Sequence, residues 1–226
     1  MRATRKLSAF LGATTLAAGL ALIPTNANAA RVVPCNEAAL VAAITTANSN
    51  GGGSLQLAPL CTYTLTAPHA VSGNGPSGLP VITTPISLNG FGTDIARAPG
   101  APDFRIVEVD ALTPGNAGSL NLTALTLRGG KAEPGAVGGG IANFGGTVRL
   151  NSSTLRNNEA TAGGGLYNDI GTSSLVGSFV VGNVATSSLG GGIYENSGAV
   201  TLTSTFVGNN TPNNCAPPGS VPNCTN

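Results

Sequence analysis

Tryptophan is absent from this 226-residue chain, histidine and methionine each occur once, and only 8% of residues are charged. An average protein carries ~25% charged residues, and disorder normally couples high charge to low hydrophobicity, so the composition argues for a folded chain. A single histidine, His69, and the lack of any CxxC leave no zinc-site pattern. Ten basic residues against nine acidic ones, with no polybasic run beyond the N-terminus, give no electrostatic footprint for nucleic acid. No long amphipathic helix is readable in the repeated part, because Gly, Asn, Ser and Thr interrupt every window. No DxD or adjacent carboxylate pair occurs there, and the carboxylates look scattered, with no column of the repeat holding two. No metal or cofactor is expected.

What is abundant is glycine, at 33 residues, about twice average usage. The chain begins with Arg2, Arg5 and Lys6, an apolar run from Leu7 to Ile23, and Ala27-Asn28-Ala29. This reads as a secretory signal peptide cleaved after Ala29. Its removal leaves seven basic residues against nine acidic, and no segment expected to hold the mature chain at a membrane. In an exported chain four cysteines favour disulfides, and proximity favours pairing Cys35 with Cys61 and Cys215 with Cys224. Four cysteines still allow three connectivities.

Three segments align on a triple glycine: GGGIANFGGTVRLNSSTLRNN from Gly138, GGGLYNDIGTSSLVGSFVVGN from Gly163 and GGGIYENSGAVTLTSTFVGNN from Gly190. The aligned columns read Ile141, Leu166, Ile193; then Ser153, Ser178, Ser204; then Leu155, Val180, Phe206; then Asn158, Asn183, Asn209. A divergent copy, LTLRGG, places Leu127 in the apolar column. A period near 25 residues holding short alternating runs suits a coil whose strands pair in parallel with those of the next coil. The fold is therefore expected to be all-β, a single parallel β-helix of about six to seven coils. Glycines ahead of Ile193 suit a corner where backbones pack closely, and Gly191→Val should impair folding.

Asn36-Glu37 reads as a helix start, with Leu40, Ile44 and Ala47 on one face and Gly51 to Gly53 as the stop. Such a capping α-helix covers the open N-terminal edge, and a Cys35–Cys61 bridge would tie it to the first coil. The organisation is then a leader at 1–29, cap helix and turn at 30–53, repeats at 54–212 and a Pro-rich tail at 213–226 with its own bridge. GNGPSG at Gly73 to Gly78 matches a dinucleotide-binding string but is followed by LPVITTP and no helix, so that reading fails.

The leader, the CNEAALVAAITTANSNGGGSLQLAPLCTYTLT and LPVITTPISLNGFGTDIAR blocks and the glycine-marked repeats together resemble secreted right-handed parallel β-helix proteins of actinobacteria, a pectate-lyase-like group. The resemblance covers nearly the whole mature chain. It implies a right-handed solenoid and an extracellular setting, among relatives that include polysaccharide lyases, glycosidases and adhesins.

Two outward columns stand out. Arg128 and Arg156 each follow an inward leucine, with Val181 and Val207 next in their column, and suit an anion contact or a solvated pair. Tyr167 and Tyr194 are aligned on the outer face with Asp169 and Glu195 nearby, and suit sugar stacking or a cross-strand aromatic pair. No catalytic residue is assigned. The leading expectation is a secreted, monomeric, non-catalytic scaffold, either a surface-recognition module for an extracellular polysaccharide or cell-envelope component or a structural protein of the cell envelope or matrix. The alternative is a polysaccharide lyase or glycoside hydrolase working on one lateral face.

Overall fold

In the computed structural model, which describes residues 32–226, Ile141 pairs in register with Leu166, and Leu166 with Ile193. All three are fully buried. The multi-residue ladders between the described coils are parallel, and the chain winds as a β-solenoid of about five turns. The expected leader lies outside the described residues. Among these, no helix is long and apolar enough to cross a membrane.

The coil count falls below the expected six to seven because chain length is spent elsewhere. Residues 70–77 fold into an antiparallel hairpin, Ala70–Ser72 against Gly75–Ser77. Residues 98–106 and 111–118 run as connections, and the tail after Ala216 adds no strand. The string GNGPSG thus belongs to a hairpin whose two-residue tip is Gly73-Asn74, a combination suited to a tight turn.

One wall is a five-stranded sheet of Val107–Asp110, Ile141–Phe144, Leu166–Asp169, Ile193–Glu195 and Cys215–Ala216, neighbours in that order. A ten-stranded sheet supplies the other two walls. In its early coils Pro85–Arg97 and Ser119–Arg128 bend round the corner as single strands. Later coils break there, as in Thr147–Asn151 followed by Thr154–Arg156.

Register corrects the columns of the third repeat by one residue. Leu155 pairs with Val180 and Val180 with Val207, all buried, while Phe206 pairs with Phe179 and is 52% exposed. Arg156 aligns with Val181 and then Gly208, so Val207 leaves the arginine column. A shift of one position moves a strand residue to the opposite face. The same shift puts Thr205 and Asn210, in place of Ser204 and Asn209, into the interior ladders.

Those ladders satisfy the polar groups at the corners. Asn158 N and Nδ2 both donate to Asn183 Oδ1 at 3.0 Å, and Asn183 N and Nδ2 donate to Asn210 Oδ1 at 2.9 and 3.0 Å. Each amide also donates to a carbonyl of the preceding coil, Asn183 Nδ2 to Leu155 O at 3.0 Å. Ser153 N donates to Ser178 Oγ and Ser178 N to Thr205 Oγ1 in a parallel series.

The triple glycines are required by the corner they form. Gly138, Gly163 and Gly190 have φ of +67°, +60° and +58°, and a Cβ on Gly191 would collide with the Thr211 backbone. At the N-terminal end the helix Glu37–Ser49 is capped by Asn36, whose side chain accepts from Ala39 N at 2.8 Å. Leu40, Ile44 and Ala47 are its buried face, each large side chain stabilising by ~1.5–3 kcal/mol. The Cys35–Cys61 bridge closes 26 residues, stabilising the cap by roughly 3 kcal/mol, and Cys215–Cys224 closes the tail. His69 contacts Glu37 Oε1 at 2.8 Å through Nε2, which fastens the helix start to the chain after Leu65.

Candidate functional site

The outward face of the five-stranded sheet carries an aromatic ladder. Alternation puts Ile141, Leu166 and Ile193 inward, so Ala142, Tyr167 and Tyr194 face out beside one another. The rings of Tyr167 and Tyr194 stack with centroids 5.6 Å apart and planes 18° apart. Phe144, two positions after Ala142 and so on the same face, lies 5.8 Å from Tyr167 in a tilted arrangement. Desolvation, then the charges of Asp169 and Tyr194, push the Tyr167 hydroxyl up to about 12, so it stays a neutral donor at physiological pH.

Phe144 also pairs with Asp110 on one side and Asp169 on the other. The column Asp110–Phe144–Asp169 overturns the expectation that no column holds two carboxylates. The two acids are two strand spacings apart, ~9.6 Å between backbones. Asp110 Oδ1 accepts from Leu112 N at 2.8 Å and Thr113 N at 3.1 Å, and Oδ2 from Asn116 Nδ2 at 2.8 Å. Burial raises its pKa, but these bonds outweigh burial and hold it below the usual carboxylate range. Asp169 Oδ1 accepts from Asn196 Nδ2 and Ser197 Oγ, both at 2.8 Å.

A wall rises over this floor. The hairpin tip Gly73-Asn74 borders two adjoining depressions that share Phe144, one of about 430 Å³ reaching Tyr167 and one of about 410 Å³ reaching Asp110 and Asp169. Both volumes fall within the range of small-ligand sites. The wall is pinned from below by Arg105, which is fully buried. Its Nη1 donates to Glu108 Oε2 at 2.6 Å and to Gly75 O at 3.3 Å, Nη2 donates to Asn74 O, and Nε donates to Val137 O at 3.1 Å. Glu108 in turn accepts from Ser72 Oγ at 2.9 Å and Asn74 Nδ2 at 3.1 Å. A buried pair this fully hydrogen-bonded fixes geometry, and losing one partner would strand the other charge.

The remaining expected site residues divide. Arg128 and Arg156 are adjacent as foreseen, but on the ten-stranded sheet, and both are engaged by Asp94 Oδ2, at 2.6 and 3.4 Å. They take no part in the groove. Glu195 points inward, 6% exposed, and ends an interior ladder in which Asn168 Nδ2 donates to its two oxygens at 3.3 and 3.2 Å. It is not a surface ligand contact. Tyr167, Tyr194 and Asp169 do converge, joined by Phe144, Asp110 and Asn74, which sequence reasoning missed.

A larger depression of about 520 Å³ lies between the cap helix and strand Gly53–Gln56, lined chiefly by Ala39, Ala43, Ala47 and Leu55. It holds no titratable group. Among the described residues no group of three or more His, Cys, Asp or Glu is placed to hold a metal ion. No protein-family model, no curated protein and no solved structure matches the chain.

Proposed function

We propose that the chain is an exported scaffold that recognises an extracellular polysaccharide or cell-envelope glycan along the lateral groove, without cleaving it. The observation that carries this reading is the Phe144–Tyr167–Tyr194 ladder, whose Phe144 and Tyr167 line adjoining depressions bordered by Asn74, Asp110 and Asp169, with Tyr194 stacked beside them. The C–H face of a sugar ring packs on an aromatic face, while carboxylate and amide groups at the rim accept and donate hydrogen bonds. The two disulfides suit an oxidising compartment. The leader pattern and the resemblance to secreted actinobacterial pectate-lyase-like solenoids support export.

Hydrolysis is the second reading, because Asp110 and Asp169 flank Phe144 on one face, and inverting glycosidases use two carboxyl groups ~6.5–9.5 Å apart. A general acid needs a raised pKa. Asp110 has both oxygens occupied and a lowered one, so it is fitted to hold the turn that follows it.

Incubation of the purified protein with a panel of insoluble and soluble polysaccharides tests both readings. The expected result is retention by at least one polymer, loss of retention in Tyr167→Ala, and no new reducing ends or unsaturated products. Tyrosine-independent retention, or none on any polymer, contradicts recognition at the groove. Accumulating product, abolished by Asp169→Asn, establishes cleavage instead.

A further inference from the structure

The charges around the groove point to the chemical class of its ligand, on the reading that the groove binds a glycan. Arg105 is the cation that reaches the wall, and it is buried and neutralised by Glu108 at 2.6 Å. Arg128 and Arg156 belong to another sheet and share Asp94. Among the described residues neither Asp110 nor Asp169, both partly exposed, has a basic side chain within ion-pair distance, so the two carboxylates border the aromatic floor without a cationic partner there. Among the described residues none donates to the second oxygen of Asp169, Oδ2, since Asn196 and Ser197 both donate to Oδ1.

We infer that the groove selects a polymer of amine-bearing sugars, such as a β-linked glucosamine chain, and rejects uronate polymers. A ring packed on Tyr167 brings a substituent within reach of Asp169, two residues along the same strand and on the same face. An ammonium there gains a charge-assisted hydrogen bond to Oδ2. A uronate carboxylate in the same place meets two like charges in a concave site, where fields are concentrated. A neutral N-acetylated sugar keeps the stacking and loses only the ionic contact.

Glucosamine oligomers, their N-acetylated counterparts and oligogalacturonates of equal length, titrated calorimetrically into wild type, Asp169→Asn and Tyr167→Ala, make the test. In ~0.01 M salt, where screening is weak, the amine form is expected to bind about tenfold more tightly than the acetylated form, with no binding of the uronate. Raising salt toward ~1 M should erase the preference. Asp169→Asn, which keeps the Oδ1 acceptor, should shrink the preference to about twofold with acetylated-oligomer affinity unchanged. Tyr167→Ala should weaken both. Equal affinity of amine and acetylated forms, a preference that survives Asp169→Asn, or tyrosine-dependent uronate binding overturns the inference and leaves glycan recognition standing. Binding of every oligomer unaffected by Tyr167→Ala overturns the groove reading itself. Unchanged far-ultraviolet circular dichroism and melting temperature in both variants separate loss of contact from loss of fold.

Discussion

Replacing Asn183 by alanine removes the middle rung of the interior amide ladder, and the structure sets the cost. Asn183 Oδ1 is the acceptor for the buried Asn158 N–H, which is then left without a partner. An orphaned buried donor costs ~1–3 kcal/mol. Asn158 Nδ2 keeps Leu127 O, and Asn210 Oδ1 keeps Asn183 N, so each loses one of two bonds; Leu155 O loses the amide as well. With each of the three other lost hydrogen bonds near ~1 kcal/mol, Asn183→Ala should destabilise by roughly 4–6 kcal/mol in total. In a domain of this size that corresponds to a melting temperature lower by about 8–24 °C. Asn209→Gly is the control, because Asn209 is exposed with φ of +58°, a conformation glycine adopts freely. It should change stability by less than ~0.5 kcal/mol. Guanidinium titrations followed by circular dichroism compare the two directly. Equal effects, or an Asn183→Ala loss under ~1 kcal/mol, would refute both the register and the ladder's role.

Gly191→Val should abolish soluble folded protein, because the new side chain meets the Thr211 backbone at a corner that cannot move without breaking the ladder from Gly191 N to Asn213 O; soluble yield with normal melting would contradict it. Glu195→Gln should raise the melting temperature at neutral pH. Burial pushes the Glu195 carboxyl up, the Asn168 bond opposes this, and the Asp169 charge pushes it further up. Its native pKa thus exceeds the unfolded one, so its stabilising contribution is complete below the unfolded value and lost as pH rises through the native value. The gain from Glu195→Gln should be small at acid pH and grow toward neutrality, and a difference that is constant across pH would contradict this.

Much of the architecture was legible because it repeats. Ile141, Leu166 and Ile193 sit 25 and 27 positions apart, and pairing them yields the coil, the inward wall and the outward tyrosines together. The cap helix was equally plain, since Asn36 and the Leu40–Ile44–Ala47 stripe are local signals. The third repeat was misread by one position, where Phe206-Val207 and Asn209-Asn210 each offer two similar residues for one column. Burial distinguishes them, and composition does not. The groove was hidden for a different reason. Asp110 belongs to a strand whose Val107 pairs with Ile141, 34 positions on, so the period is broken by the connections between them. Arg105 and the hairpin lie outside the repeats altogether, and chemistry assembled from non-repeating segments leaves no periodic trace. Phe144 could have been found from strand alternation alone, two residues past the outward Ala142.

The chain holds only three tyrosines, Tyr63, Tyr167 and Tyr194, and Tyr63 is fully buried in the core with its hydroxyl donating to Val33 O. Nuclear magnetic resonance of ring-labelled tyrosine therefore gives two reporters on the outward aromatic face, Tyr167 in the groove and Tyr194 stacked against it, and one internal reference. On titration with a glucosamine oligomer the Tyr167 and Tyr194 ring signals should shift together and saturably while Tyr63 stays fixed. Three unmoved signals, or a shift shared equally by Tyr63, would contradict recognition on this face.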